Sequence, residues 1–176
     1  MNTKNIHDSF ARETLSYKDN AACFFRGILP EDVVKRLNFK SLSEDKTSYT
    51  DEDLSAYFSD VVYECGYKGN FLKLALLFEH KSYIPKFPHS QLLRYILNIW
   101  DKAAKQNKPI PIVLPIILYH GKQTWKAKPL YAYLSGDSSP FARFIPGFEY
   151  LLVDLSTIPD KQIMMLFANN PAVKLW

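Results

Sequence analysis

Four polar positions in the middle of the chain are of types that could do chemistry together: Asp60, Glu79, Lys81 and Gln91. Asp60 lies in an aromatic and β-branched run, "AYFSDVVYECGY", and Glu79 and Lys81 close a second run, "FLKLALLFEHKS". "KGN" between them reads as a turn, so the two runs form a hairpin folded about residues 67 to 70. That folding brings Asp60 beside Glu79. Glu79 and Lys81 share a parity and leave the same face of their strand. Two carboxylates across a strand pair suit a hard divalent cation, Mg²⁺, Mn²⁺ or Ca²⁺. Such a cation polarises a phosphoryl oxygen and acidifies water, and a neighbouring lysine positions that water or steadies transition-state charge. An ExK at a strand end is also an ordinary ion pair, and the motif alone does not choose between the two.

The next segment adds polar groups at helical spacing. "HSQLLRYILN" places Gln91, Arg94 and Tyr95 at i, i+3 and i+4, a side that runs on to Asn98, Lys102 and Lys105. Leu92, Leu93, Ile96, Ile99, Trp100 and Ala103 form the apolar stripe. Glutamine and an arginine fork on that polar side can meet a phosphate or its attacking water; equally, they are the wet face of an amphipathic helix. Trp125 sits among Lys122, Lys126 and Lys128, either to stack on bases and grip phosphates or as part of a surface loop. His7, His80, His89 and His120 make no ligand cluster, and GxSxG, P-loop and GxGxxG motifs are absent. The acidic run Thr50 to Leu54 lacks EF-hand spacing and reads as a solvated loop.

The elements that must position these residues alternate in type. Residues 6–37 read as two helices, the first interrupted near Asp19-Asn20 and the two broken apart at Gly27 to Pro30. "SLSEDKTSYTDEDLS" reads as a loop or an edge, followed by the hairpin, then a helix from Pro88 to Asn107. "PIPIVLPIILYHG" is a continuous apolar run, a strand buried on both faces, with Pro111 and Pro115 pointing to an edge or bulge. "EYLLVDLST" is a further strand and "KQIMMLFANN" a further helix. A hairpin followed by a crossover helix and more strand gives a mixed sheet with helices packed on it.

Bulk properties narrow the class. The 176 residues suit one domain, 47% of them hydrophobic and 23% charged. Cys23 and Cys65 form no CxxC, and no apolar stretch has signal-peptide or bilayer-spanning character, so the expectation is a cytoplasmic protein with no membrane contact. Charge is uneven: residues 1–60 carry net −3, residues 61–128 net +8 and residues 129–176 net −1. A positive middle third suits a polyanionic partner, or is a solvated lysine face.

Taken in order, Asp60, Glu79-x-Lys81 and Gln91-x-x-x-Tyr95 resemble the core of the PD-(D/E)XK nucleases, the last element being similar to the RecB-like branch. The chain resembles more closely the Rpn family of recombination-promoting nucleases, also known as YhgA-like transposases. The residues that carry this are "HDSFARETLS", "YTDEDLSAYFSDVVYEC", "LLFEHKSYIPKFPHSQLLRYILNIW" and "PIPIVLPIILYHGKQTW", most of residues 7–125. The resemblance implies a single α/β domain over residues 1–176 with a restriction-endonuclease-like core, a mixed central sheet flanked by helices. It implies a Mg²⁺-dependent (or Mn²⁺- or Ca²⁺-dependent) DNA endonuclease linked to recombination or mobile elements. With no base-reading module in the sequence, low sequence specificity is expected. By position, the resemblance makes Asp60 and Glu79 metal ligands, Glu13 a candidate further ligand, Lys81 the catalytic lysine, Gln91 a supporting residue and Tyr95 structural. Arg94, Lys102, Lys105, Lys122 and Lys126 are candidate DNA contacts. Many relatives have glutamine where this chain has Lys81, and lysine is the superfamily's usual residue. Family members are commonly longer, which motivates an alternative: an inactive short form that binds DNA or pairs with a longer relative. A homodimer is open.

Overall fold

The computed structural model describes residues 13–50, 55, 58–79, 84–119, 121 and 123–158, with residues 58, 59, 78 and 79 as backbone only. Lys81, Lys122, the acidic run at 51–54 and the helix expected from Lys161 lie outside the described residues. The chain folds as helices α1 (Lys18–Ile28) and α2 (Glu31–Val34), strands β1 (Asn38–Asp45), β2 (Phe58–Tyr67) and β3 (Asn70–Glu79), helix α3 (Pro88–Lys105), and strands β4 (Ile112–Tyr119) and β5 (Leu151–Asp154). One mixed sheet has the order β1-β2-β3-β4-β5. Its first two pairings are antiparallel and its last two parallel.

The hairpin forms about the expected centre. Lys68 and Gly69 both have positive φ, 47° and 79°, the pattern of a two-residue type I′ loop, and only glycine takes the second without strain. Tyr67 therefore faces Asn70, and the register runs without slip to Asp60 against Leu77 and Phe58 against Glu79.

Three local readings are sharpened, two of them by correction. The N-terminal helix bends at Tyr17, not at Asp19-Asn20. Asn20 is buried and its amide donates to the Thr14 carbonyl at 3.0 Å, so it spans the bend instead of breaking the helix. "PEDVVKRL" makes a single turn, α2, before the chain turns into sheet. The polar stretch from Ser41, expected as loop or edge, is both among the described residues: Ser41 to Asp45 complete the edge strand β1, where only Phe39 and Leu42 turn into the core, and residues 46–50 are irregular. The strand holds its place with a register shift between Asn38 and Ser43.

Both faces of the sheet are covered. On one, Leu15, Phe24 and Phe25 pack against Tyr63, Leu74, Leu76, Ile116 and Leu118. On the other, Leu92, Tyr95 and Ile99 of α3 pack against Val62, Ala75, Leu77 and Ile117. Central strands buried twice over must be apolar at successive positions, which explains the unbroken "IVLPIILY" of β4. Pro115 is tolerated because β5 pairs with β4 only from Ile116 onward, so its missing N–H falls where β4 has a neighbour on one side.

Candidate active site

Asp60 lies near the start of β2, on the sheet face that α3 covers. Its carboxylate accepts three hydrogen bonds: from the Ser48 hydroxyl to Oδ1 at 3.0 Å, from the Tyr49 amide to Oδ2 at 2.9 Å, and from the Tyr95 phenol to Oδ2 at 2.8 Å. All three donors are neutral, and among the described residues no cationic side chain pairs with Asp60. Position 79 shares the parity of Leu77, the partner of Asp60, so it lies diagonally across the strand pair on the same face. Such diagonals span about 7–8 Å.

Tyr95 departs from the sequence reading. It was placed on the polar side of its helix, yet it is fully buried and belongs to the core stripe with Leu92 and Ile99. Trp100, assigned to that stripe, is 38% exposed and donates its indole N–H to the Pro111 carbonyl at 2.9 Å. Tyrosine supports both roles, a ring for the core and a hydroxyl that needs a partner, and Asp60 is that partner. Burial, and then the adjacent Asp60 charge, push the Tyr95 phenol far above its usual range, which favours its protonated, donating form.

The other candidates are distributed around this centre. Gln91 is half-buried on the first turns of α3, and its Oε1 is a buried atom with no hydrogen-bond partner among the described residues. Arg94 and Lys105 are exposed on α3, and Lys102 lies with its ammonium 5.3 Å from the centroid of the Tyr49 ring. Ser48, Tyr49, Thr50, Asn98, Asp101, Lys102 and Lys105 line a cavity of about 280 Å³ next to Asp60. Glu13 is exposed, two residues before Leu15, which packs on the opposite face of the sheet. Lys126 is exposed. Trp125 is not available to stack on bases: it is 4% exposed, 5.1 Å edge-on to Tyr119 and 6.5 Å from Tyr150. Among the described residues, no three His, Cys, Asp or Glu side chains converge on one point.

A second polar cluster, unforeseen from the sequence, adjoins the first. The Lys73 ammonium bonds Asp45 Oδ2, and Glu64 Oε1 at 2.9 Å; the Tyr49 phenol donates to Asp45 Oδ2 at 2.7 Å. Burial opposes ionisation of Asp45, but hydrogen bonds from Lys73, Tyr49 and Thr47 outweigh it and bring the carboxyl down to about 2. Burial likewise disfavours the Lys73 charge, and its carboxylate partners reverse that and raise it. Half of this cluster was readable: Lys73 interrupts an apolar face of β3, and a hairpin centred on residues 68 and 69 sets it opposite Glu64. Tyr49 and Ser48 carry no such signal, because they sit in an irregular segment after β1.

The chain matches the family model described as "Putative transposase, YhgA-like" over residues 5–169. It is 27% identical over 168 residues to recombination-promoting nuclease RpnD of Escherichia coli O157:H7, covering 92% of this chain and 63% of that one. It is 28% identical over 163 residues to the inactive recombination-promoting nuclease-like protein RpnE of Escherichia coli K12, covering 92% and 54%. RpnA of the same strain, a recombination-promoting nuclease, is 28% identical over 165 residues, covering 90% and 54%. The chain thus spans between about half and two-thirds of the length of these curated relatives. No solved structure matches it significantly. The five-stranded mixed sheet with flanking helices accords with the PD-(D/E)XK-like core that the resemblance implied. With nearly the whole chain inside the family model, this protein belongs to the YhgA-like transposase family, to which its Rpn-like sequence pattern pointed.

Proposed function

We propose that the chain is a divalent-cation-dependent DNA endonuclease of low sequence specificity, acting in recombination or on mobile elements. One observation carries the reading: Asp60 is held by three neutral donors and by no cation among the described residues, on the face where Glu79 stands diagonally opposite. A carboxylate oriented by three neutral donors and paired with no cation among the described residues, beside a second acidic position, is a donor set of hard oxygens that suits Mg²⁺ or Mn²⁺. Asp60 and Glu79 would hold the ion, which when bound supplies Lewis acidity to the phosphodiester. Lys81 would steady the charge that develops on phosphorus-bound oxygen, and Gln91, whose buried oxygen has no hydrogen-bond partner among the described residues, would accept a hydrogen bond from the attacking water. Arg94, Lys102 and Lys105, on one helix beside the site, would hold backbone phosphates without reading bases.

Incubation of supercoiled plasmid with the chain, with Mg²⁺ and with EDTA, tests the reading. Nicking is expected from wild type with Mg²⁺ only, and its loss from Asp60→Ala and Lys81→Ala. Equal nicking by wild type and the double variant would refute it. The similarity to a relative named inactive favours a second reading, a form that binds DNA without cutting it. A gel shift in EDTA with no cleavage at any Mg²⁺ or Mn²⁺ concentration would select that one.

A further inference from the structure

We infer that Ser48 and Tyr49 are positioning residues that fix the Asp60 carboxylate for its cation, and that the Asp45–Lys73–Glu64 network anchors them. The inference rests on the metal reading above and names residues which that reading does not use.

The geometry assigns a separate task to each group. A carboxylate has about four lone-pair sites. Oδ2 of Asp60 receives two donors, the Tyr49 amide and the Tyr95 phenol, whereas Oδ1 receives only the Ser48 hydroxyl. Among the described residues, Oδ1 therefore keeps the open lone pair, and Ser48 determines where that lone pair points. Tyr95 alone leaves the carboxylate able to turn about its bond to Cβ; a donor on each oxygen removes that freedom.

Ser48 and Tyr49 lie in irregular backbone between β1 and β2, and such a segment orients nothing unless it is itself tied down. The ties are present. The Thr47 amide donates to Asp45 Oδ1 at 3.0 Å, and the Tyr49 phenol to Asp45 Oδ2. Asn98 of α3 donates its amide to the Tyr49 carbonyl at 3.1 Å. The Tyr49 ring carries the Lys73 ammonium at 5.2 Å and that of Lys102 at 5.3 Å from its centroid. Tyr49 thus meets Asp60 through its amide, α3 through its carbonyl and the partly buried ion network through its phenol. A set of contacts that served β1 alone would not require Ser48 to reach the other oxygen of Asp60.

The test is titration of the full chain with Mn²⁺, followed by calorimetry or by the paramagnetic signal of the free ion, alongside thermal unfolding of each variant. Ser48 is exposed, so Ser48→Ala is expected to unfold within a few degrees of wild type. Its Mn²⁺ affinity is expected to fall on the order of tenfold, as for partners that orient ligands in other metal sites. Ser48→Thr, which restores the hydroxyl, is expected to recover most of that loss. Tyr49→Phe keeps the amide donor and cuts the link to Asp45, so a smaller loss is expected. If Asp60→Ala abolishes binding while Ser48→Ala and Tyr49→Phe bind as wild type does, the positioning role is overturned and the metal reading stands. If wild type binds no Mn²⁺, both are overturned together.

Discussion

The Tyr95 phenol donates to Asp60 Oδ2 across 2.8 Å, joining the crossover helix to the second strand through one buried hydroxyl. The tyrosine is wholly inside and the aspartate is half-buried, so the bond links core packing directly to the candidate metal site. Tyr95→Phe keeps the ring and deletes the donor. Asp60 keeps its other two donors, so the loss is close to one hydrogen bond to a charged group, about 2 kcal/mol. Urea unfolding of the variant measures it, and a free energy equal to that of wild type would remove the bond from any structural role.

Lys73 is 8% exposed and holds Asp45 and Glu64 together on the sheet face beneath Tyr49. Lys73→Met fills similar space but leaves two carboxylates, Asp45 and Glu64, with no cation between them in a partly desolvated site. Removing the cation from a partly exposed pair of this kind destabilises by about 1–3 kcal/mol, less than in a fully buried one. Combining Lys73→Met with Asp45→Asn removes the more buried of the two abandoned charges, so the double variant is expected to be more stable than Lys73→Met alone. A double-mutant cycle on unfolding free energies checks this, and strict additivity would count against the network.

Acid should weaken the fold in two separate limbs. His89 is 1% exposed inside a box of Phe87, Tyr133, Phe148 and Tyr150, and burial lowers its affinity for a proton below the usual 6.5. The unfolded chain then binds a proton that the folded chain refuses, so stability falls as pH drops below 6.5. Asp45 contributes above its ordinary 3.8, and that contribution is lost as pH falls from there towards about 2. Unfolding free energy against pH should show both limbs. His89→Phe, suited to an aromatic box, should remove the upper limb and leave the lower one. A profile unchanged by that variant would discard the histidine's part.

How much of this was legible depended on whether a residue's role is set by periodicity or by contact. The hairpin, its centre and the shared face of Asp60 and position 79 follow from alternation and a Lys68-Gly69 turn, and the structure has them in that register. The edge strand β1 was only half seen, because an edge needs few apolar residues and its alternation is faint. Tyr95 was set on the wrong side of its helix because a hydrophobicity pattern scores a tyrosine as polar or apolar, not as a ring in the core whose hydroxyl answers a carboxylate 35 residues away. Trp125 looked available for bases because its neighbours are lysines, yet the core of Tyr119 and Tyr150 claims it. Ser48 and Tyr49 were invisible, since irregular backbone has no period to read.

The cavity beside Asp60 yields a prediction about salt. Lys102 and Lys105 line it, and Asp101 offsets part of their charge. If both lysines meet phosphates, each releases counterions on binding, and each contributes about −0.9 to the slope of log K against log salt for duplex DNA. Lys102→Gln with Lys105→Gln should therefore flatten that slope by up to about 2, with the same loss for unrelated DNA sequences, since phosphate contacts carry no base information. Fluorescence anisotropy in EDTA across a range of salt concentrations isolates binding from cleavage. A slope equal to that of wild type would move the DNA path away from this cavity, towards Arg94 or the exposed Lys126, and would leave the Asp60 chemistry to be judged by nicking alone.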